Sequence, residues 1–181
     1  MKNLLVGQSG GPTAVINASL YGVVKAALAS PEIDHVYGMV NGIEGMLRDH
    51  TIDLGESLSE TELELLKLTP AAYLGSCRYK LPESLTDAFY ETIFDKFRRM
   101  EIGYFLYIGG NDSMDTVSKL SRYAAHHGSD IRFIGIPKTI DNDLVLTDHT
   151  PGYGSAAKYV AASVREIALD ASVYQQKAVT I

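Results

Sequence analysis

Residues 109–115 combine an opening suited to a phosphate with a negative charge, since they read Gly-Gly-Asn-Asp-Ser-Met-Asp. They follow an apolar run and precede a segment with helical periodicity. A glycine pair between a buried strand and a helix start lets a phosphate approach the backbone, where free N–H groups and the helix dipole hold it. The carboxylate of Asp112 in that cradle repels anions. The segment therefore predicts a phosphate site that also refuses some phosphate-bearing ligand.

A second loop, residues 137–143, offers side chains suited to phosphoryl and proton transfer. It reads Pro-Lys-Thr-Ile-Asp-Asn-Asp and directly follows an apolar run. Lys138 supplies a cation and Thr139 a hydroxyl, while Asp141 and Asp143 can divide between them deprotonation of a hydroxyl and binding of Mg²⁺. The competing interpretation is a polar turn closed by its own side chains, with Lys138 in solvent.

Two further loops, residues 7–13 and 75–80, carry candidate anion ligands. The first reads Gly-Gln-Ser-Gly-Gly-Pro-Thr, and its adjacent glycines, the second being Gly11, suit an anion at a helix amino terminus. It matches neither the P-loop nor the dinucleotide pattern. The second reads Gly-Ser-Cys-Arg-Tyr-Lys, in which Arg78 can clamp a phosphoryl group with two hydrogen bonds. The alternatives are a plain strand-to-helix turn and an exposed basic turn.

Other motifs indicate structure rather than chemistry. Residues 152–157 resemble a dinucleotide fingerprint, but they follow a polar loop instead of a strand. His126 and His127 before Gly128 are typical of a helix end, where cations and a glycine are favoured. Cys77 has no obvious general-base partner, so nucleophilic catalysis is not expected there.

Alternating strands and helices must position these loops. Short apolar runs typical of buried strands alternate with amphipathic stretches typical of helices. That alternation predicts a doubly wound α/β fold, a mostly parallel sheet with helices on both faces and with functional loops at the carboxyl ends of its strands. The predicted strands lie at 4–7, 35–40, 104–108 and 131–136, and the predicted helices at 14–29, 59–68, 81–100, 114–126 and 155–171.

Composition limits the possible partners and compartments. The 181 residues are 46% hydrophobic and carry a formal net charge of −6, which fits one globular domain and argues against binding to nucleic acid or a membrane surface. A single cysteine allows no internal disulfide and fits a reducing compartment, so we expect a cytoplasmic protein. Residues 177–181 resemble the start of another buried strand, which suggests that this chain is the amino-terminal part of a longer protein.

Together the four loops resemble the phosphofructokinase family, over about residues 4–181. Each piece alone is common, whereas their order and spacing together are specific. The resemblance implies the same α/β fold, as a phosphoryl-donor-binding domain spanning residues 1–181, with a second, substrate-binding domain absent from this chain. The diagnostic pieces are Ser-Gly-Gly at 9–11, Gly-Ser-Cys-Arg at 75–78, Gly-Gly-Asn-Asp-Ser at 109–113 and Pro-Lys-Thr-Ile-Asp-Asn-Asp at 137–143, continued by Thr-Asp at 147–148 and Gly-Tyr at 152–153.

Two positions resemble the pyrophosphate-dependent branch of that family. ATP-dependent members usually have glycine at the positions of Asp112 and Lys138. Asp112 would repel the α-phosphate of a nucleotide, at a cost on the order of several kcal/mol, and Lys138 would stabilise a phosphate leaving group. Asn111 stands where the family often has an aspartate tied to Mg²⁺, and an amide is a weaker ligand. Asp141 or Asp143 would then hold more of the metal, or pyrophosphate oxygens and water would.

The resemblance implies a reaction for the full-length protein: transfer of phosphate from pyrophosphate to the 1-hydroxyl of fructose 6-phosphate, a reversible Mg²⁺-dependent step of glycolysis. Asp141 would take the proton from that hydroxyl, and Lys177 would reach the sugar phosphate of a neighbouring subunit. The residues expected in catalysis are Asp141, Asp112 and Lys138, and those expected to bind phosphate or substrate are Gly11, Arg78, Thr139, Ile140, Asp143 and Lys177.

Two rival hypotheses remain open at this point. The donor is ATP if Asp112 turns away from the nucleotide. The chain belongs to a non-catalytic regulatory subunit if it binds metabolites only, although the intact sequence at 139–143 argues against this, since such a subunit needs no base. We expect the full-length protein to be a homodimer or homotetramer, and this 181-residue chain to fold alone, with an exposed apolar patch and without phosphotransfer.

Overall fold

The computed structural model describes residues 1–174, and a five-stranded sheet forms its centre. The strands lie in the order β3-β2-β1-β4-β5, and all neighbours are parallel except β3, which pairs antiparallel with β2. The fold is therefore the mostly parallel α/β sheet that the sequence predicts. The strands are β1 (Lys2–Gln8), β2 (Ile33–Met39), β3 (Thr51–Asp53), β4 (Ile102–Gly109) and β5 (Arg132–Pro137).

Seven α-helices and one short 3₁₀ turn, Leu66–Leu68, connect the strands in the described part of the chain. Three of the four longest helices contact strands of the sheet. The helices are α1 (Ile16–Leu28), α2 (Gly42–Leu47), α3 (Leu54–Ser57), α4 (Glu60–Leu65), α5 (Ala88–Arg99), α6 (Asn111–His126) and α7 (Tyr153–Ala171).

The hydrophobic core has two parts, one on each face of the sheet. Successive side chains of a strand point to opposite faces, so Leu4 and Leu5 of β1 fall into different clusters. Leu4 packs with α1 and with the segment after α3, whereas Leu5 packs with the aromatic side chains of α5 and β4. Burial on both faces explains why these strands read as continuous apolar runs rather than alternating ones.

The parallel register brings three loops to one rim of the sheet. Gln8 at the end of β1 pairs with Ile108 of β4, which in turn pairs with Ile136 of β5. Gly109 pairs with Pro137 at the next position. The loops that follow β1, β4 and β5 therefore begin side by side, as expected for a ligand site at the carboxyl ends of parallel strands.

The structure corrects several predicted boundaries. Strand β3 and helices α2 and α3 were not predicted, since each is too short to show a periodic pattern. The helix predicted at 81–100 begins only at Ala88, where Asp87 caps it by accepting a hydrogen bond from the Phe89 N–H. The helix predicted at 114–126 begins at Asn111, so the glycine-rich segment runs directly into its first turn.

Helix α7 differs from the others because none of its residues is buried. Tyr159, Val160 and Leu169 are more than half exposed on it. No helix of the described residues is long and apolar enough to cross a membrane.

Candidate phosphoryl-transfer site

A cavity of about 590 Å³ opens at the rim where the loops after β1, β4 and β5 meet. It brings together five of the residues singled out from the sequence, although they are far apart along the chain. Residues 77–80 of the loop at 75–80 also line the cavity. The predicted residues that line it are Gly11, Arg78, Asn111, Asp112 and Lys138.

The amino terminus of α6 forms one wall of this cavity. Gly110 precedes the helix and has no side chain to cap it. The Ser113 N–H donates to the Gly110 carbonyl at 3.0 Å, whereas the N–H groups of Asn111 and Asp112 stay available to a ligand. Asn111 and Asp112 lie in that first turn and both line the cavity. The wall thus pairs a helix terminus that attracts anions with a carboxylate that repels them.

Lys138 supplies a cation almost fully removed from water. The residue is 4% exposed, and among residues 1–174 its ammonium has neither a salt bridge nor a side-chain hydrogen bond. Burial lowers the pKa of Lys138 below that of an ordinary lysine. Its backbone N–H donates to the Gly109 carbonyl at 2.9 Å, which fixes it at the rim. An anionic ligand in the cavity would supply the missing counter-charge.

Two glycines of the loop after β1, Gly10 and Gly11, also line the cavity. Gly10 has φ of +77°, a conformation that favours glycine, and a Cβ there would lie 3.8 Å from the Lys138 Nζ. A Cβ on Gly11 would meet no atom within 4 Å. Packing within the described chain therefore leaves open space beside Gly11, through which a ligand can reach the backbone.

Residues 139–143 lie outside the lining of the cavity but next to it. The Asn111 Nδ2 donates to the Asp143 Oδ2 at 3.4 Å, which joins this loop to the start of α6. The Asp141 N–H donates to the Thr139 Oγ1 at 3.0 Å, and the Asp141 carboxylate is exposed. Ile140 is 52% exposed. Lys177 lies outside the described residues.

A polar side chain between the two aspartates holds this loop in shape. Asn142 has φ of +56°, and its amide donates to the Asp148 carbonyl at 3.1 Å and accepts from the Thr150 N–H at 2.9 Å. The Thr150 hydroxyl in turn donates to the Thr139 carbonyl at 3.0 Å. The part of the loop that carries Asp141 is therefore anchored to the segment before α7.

Two buried serines that line the cavity, Ser9 and Ser113, were given no role from the sequence. The hydroxyls of Ser9 and Ser113 contact each other and link the loop after β1 to α6. Their spacing of more than a hundred residues left no local signal, although both lie within glycine-rich motifs. A Cβ on Gly109 would fall 1.9 Å from the Ser113 Oγ, so this glycine is needed for packing.

Cys77 lines the cavity, and its surroundings fit the expectation that it is no nucleophile. Its sulfur lies 3.6 Å from the Tyr107 hydroxyl, which also accepts from the Ile43 N–H at 3.4 Å. Burial raises the pKa of the Tyr107 phenol well above its ordinary value, so this group is no general base for the thiol.

The oxygen ligands near the cavity, from Asn111 and Asp143, suit a magnesium ion that is bound partly by the protein and partly by phosphate oxygens of a ligand. In the described chain, the one group of three acidic or histidine ligands close enough to surround an ion is His35, Asp53 and Glu56, away from the cavity. The cavity instead offers the Asn111 amide beside the Asp143 carboxylate. Mg²⁺ is commonly held by one or two protein oxygens, substrate phosphates and water, which suits this donor set.

The amino-acid sequence is similar to that of known proteins over nearly its whole length. The model of the family described as "Phosphofructokinase" matches residues 3–181. The chain is 50% identical over 169 residues to a pyrophosphate–fructose 6-phosphate 1-phosphotransferase of Xanthomonas campestris pv. campestris, and 47% identical over 172 residues to one of Methylococcus capsulatus. Each alignment covers 93% of this chain and 40% of the relative. The chain thus spans less than half the length of these curated relatives.

A solved structure shares the fold over nearly the whole chain. The pyrophosphate-dependent phosphofructokinase from Nitrosospira multiformis superimposes with a TM-score of 0.88 at 44% sequence identity. The match covers 95% of this chain and 42% of that one. Sequence and fold similarity therefore both extend over nearly the whole of this chain and over less than half of these relatives.

Proposed function

This chain belongs to the phosphofructokinase family, and from that premise we propose that the longer protein of which it is part transfers phosphate from pyrophosphate to the 1-hydroxyl of fructose 6-phosphate. The chain is its donor-binding domain, and a second domain completes the sugar-phosphate site. The observation that carries the proposal is the buried ammonium of Lys138, unpaired within residues 1–174, in a cavity that Asp112 also lines. A nucleotide would place its α-phosphate near that carboxylate, whereas pyrophosphate has no further phosphate to place there.

In the proposed reaction, Asp141 takes the proton from the C1 hydroxyl as that oxygen attacks the near phosphorus of pyrophosphate. The new O–P bond forms while the bridging P–O bond breaks and phosphate leaves. Thr139 and Ile140 position the sugar. Little covalent chemistry falls to the protein, so positioning and electrostatics supply the acceleration.

The phosphate-binding residues have separate tasks in this proposal. Gly11 lets the donor approach the backbone, Arg78 clamps the transferring phosphoryl group, and Lys138 stabilises the leaving phosphate. Asn111 and Asp143, with pyrophosphate oxygens and water, would hold Mg²⁺, which neutralises phosphate charge during transfer. Asp112 remains the residue that excludes nucleotides.

The central test replaces the proposed base in the full-length protein. Asp141→Ala abolishes turnover while pyrophosphate and fructose 6-phosphate still bind, because the carboxylate acts on a proton rather than on affinity. Asp130→Ala is the matched control, since Asp130 is an exposed carboxylate just before β5, at the opposite end of that strand. Steady-state rates and equilibrium binding measure both effects. Near-wild-type turnover in Asp141→Ala contradicts the assignment.

The donor is tested by comparing rates with pyrophosphate and with ATP in the wild-type full-length protein. Faster turnover with pyrophosphate supports the proposal, and faster turnover with ATP contradicts it. Inactivity with both donors, at saturating fructose 6-phosphate and Mg²⁺, favours a regulatory subunit. We further expect the full-length protein to be cytoplasmic. We also expect it to be a homodimer or homotetramer, and light scattering measures that oligomeric state.

The 181-residue chain alone serves as a separate test of the domain assignment. It folds and binds pyrophosphate weakly through the loops after β1 and β4, but it transfers no phosphate, because half of the positioning contacts are missing. Measurable turnover by this chain would mean that its active site is self-contained.

A further inference from the structure

The segment that carries Arg78 has no regular secondary structure, yet its backbone is held in place. Residues 69–80 follow the 3₁₀ turn and lead past the cavity without helix or strand. The Arg78 side chain is exposed and has no hydrogen-bond partner among the described residues. The position of its guanidinium group therefore depends on how the backbone before it is fixed.

Asn17, at the start of α1, binds two backbone groups of this segment. Its Oδ1 accepts from the Tyr73 N–H at 2.8 Å, and its Nδ2 donates to the Thr69 carbonyl at 2.9 Å. The Asn17 side chain is fully buried. Both bonds bridge more than fifty positions along the chain, so they define where the segment crosses the sheet rim.

Gln8, the last residue of β1, binds a third backbone group. Its Oε1 accepts from the Leu74 N–H at 2.9 Å, while its Nε2 donates to the Asn17 Oδ1 at 3.0 Å and to the Ile16 carbonyl at 3.1 Å. Gln8 is also fully buried. The two amides bond to each other and to four backbone groups, three of them in the segment 69–74, and a buried network of this kind is rigid.

The anchoring continues to the residue before the arginine. The Gly10 N–H donates to the Cys77 carbonyl at 3.3 Å, and the Ser76 hydroxyl donates to the Gly10 carbonyl. The loop after β1 and the segment 69–77 therefore form one connected unit. Its foundation is the amide pair at the end of β1 and the start of α1.

We propose that Asn17 and Gln8 are positioning residues for pyrophosphate, acting through the backbone of residues 69–77 on Arg78. The inference rests on the proposed function, because Arg78 is the donor clamp there. Without the amides, the segment loses its anchors at residues 69, 73 and 74. It keeps those at Gly10 and at Asn41, whose N–H donates to the Leu74 carbonyl at 2.7 Å and whose Nδ2 donates to the Ser76 carbonyl at 3.2 Å. The guanidinium group then occupies a wider range of positions. Affinity for the donor falls, whereas the proton transfer at Asp141 is untouched.

The test uses Asn17→Ala in the full-length protein, with Asn3→Ala as the matched control. Asn3 is a buried amide of the same strand as Gln8, and it too bonds distant backbone groups, the Met100 carbonyl at 2.7 Å and the His35 N–H at 3.1 Å. It lies at the opposite end of the sheet. We expect Asn17→Ala to raise the KM for pyrophosphate about tenfold with kcat changed much less, and Asn3→Ala to change neither.

A double-mutant cycle with Arg78→Ala separates positioning from general destabilisation. If Asn17 acts through Arg78, its replacement has little further effect on the pyrophosphate KM once the arginine is gone. Full additivity of the two changes overturns the inference. So does an unchanged pyrophosphate KM in Asn17→Ala.

One further measurement keeps the inference independent of activity. Hydrogen exchange of the backbone amides at 73–77 accelerates in Asn17→Ala and not in Asn3→Ala; equal exchange overturns the anchoring itself. An inactive wild-type protein contradicts the proposed function, whereas an active one with a normal Asn17→Ala variant contradicts this inference alone.

Discussion

Two lysines are buried to almost the same extent but have opposite surroundings. Lys119 of α6 is 6% exposed and Lys138 after β5 is 4% exposed. The ammonium of Lys119 lies 2.7 Å from the Glu83 carboxylate and 2.9 Å from that of Asp115, and these contacts raise its pKa. The ammonium of Lys138 has no carboxylate within salt-bridge distance in residues 1–174, and burial lowers its pKa.

The difference teaches where the molecule tolerates an uncompensated charge. Removing a charge from water destabilises the fold by an amount on the order of several kcal/mol, unless an opposite charge or hydrogen bonds compensate it. Lys119 meets that requirement within the chain and holds the segment after Arg78 against α6. Lys138 faces a cavity beside a helix amino terminus, where a phosphate ligand would meet the same requirement. One lysine supports the fold, and the other supports the proposed donor site.

The largest expected effect comes from replacing each lysine with methionine in the full-length protein. Lys138→Met lowers kcat/KM with pyrophosphate by a factor of about 10²–10³, because a charge-assisted contact to the leaving phosphate is lost. Its thermal stability stays equal or rises, since an unpaired buried charge has been removed. Steady-state kinetics and thermal unfolding measure both quantities.

Lys119→Met is the control, with the reverse pattern. It lowers Tm, because the contacts to Glu83 and Asp115 are lost, and it changes kcat/KM with pyrophosphate by less than about threefold. The comparison fails if both variants lose stability alike, or if the Lys119 variant loses donor use as strongly as the Lys138 variant.

A smaller effect is expected from Asp112, the carboxylate that lines the cavity with Lys138. Asp112→Gly raises kcat/KM with ATP by about tenfold, equivalent to ~1.4 kcal/mol of relieved repulsion, without creating an adenine pocket. Asp115→Gly, in the same helix, controls for the ~1 kcal/mol that glycine costs in a helix, since Asp115 faces Lys119. Equal ATP rates in the two variants would remove Asp112 from donor selection.

The smallest effect is expected when a third buried lysine, Lys96, loses the charge of its partner carboxylate. Lys96 is 7% exposed and contacts Asp49, whose pKa it lowers through that hydrogen bond. Because the folded-state pKa of Asp49 is depressed, its contribution to stability is present above the ordinary pKa of 3.8 and is lost as pH falls through the folded value.

Asp49→Asn therefore lowers Tm slightly at neutral pH and removes that acid-dependent part of the stability. Thermal unfolding from pH 7 down to about pH 2.5 measures it, against wild type. Identical pH profiles would show that Lys96 needs no counter-charge, and would weaken the contrast drawn for Lys138.

The amino-acid sequence by itself predicted the parallel strands and the loops at their ends. Buried parallel strands leave a strong local signal, because apolar residues cover both faces, as at 4–7 and 104–108. The glycine-rich and charged motifs between them carried the family resemblance, which the comparisons confirm. The antiparallel strand β3 left no such signal, since its three residues are held by pairing with β2 and by the capping role of Asp53.

Only the tertiary structure decided which charged groups have partners and how residues 69–77, the segment before Arg78, are held in place. From sequence, a polar turn with Lys138 in solvent remained an alternative, whereas in the fold its ammonium is buried beside Gly10. The bonds from Asn17 to residues 69 and 73 join groups far apart in sequence, so no local pattern records them. Local side-chain periodicity determines strands and helices. Which buried polar groups find partners depends instead on which distant parts of the chain the fold brings together.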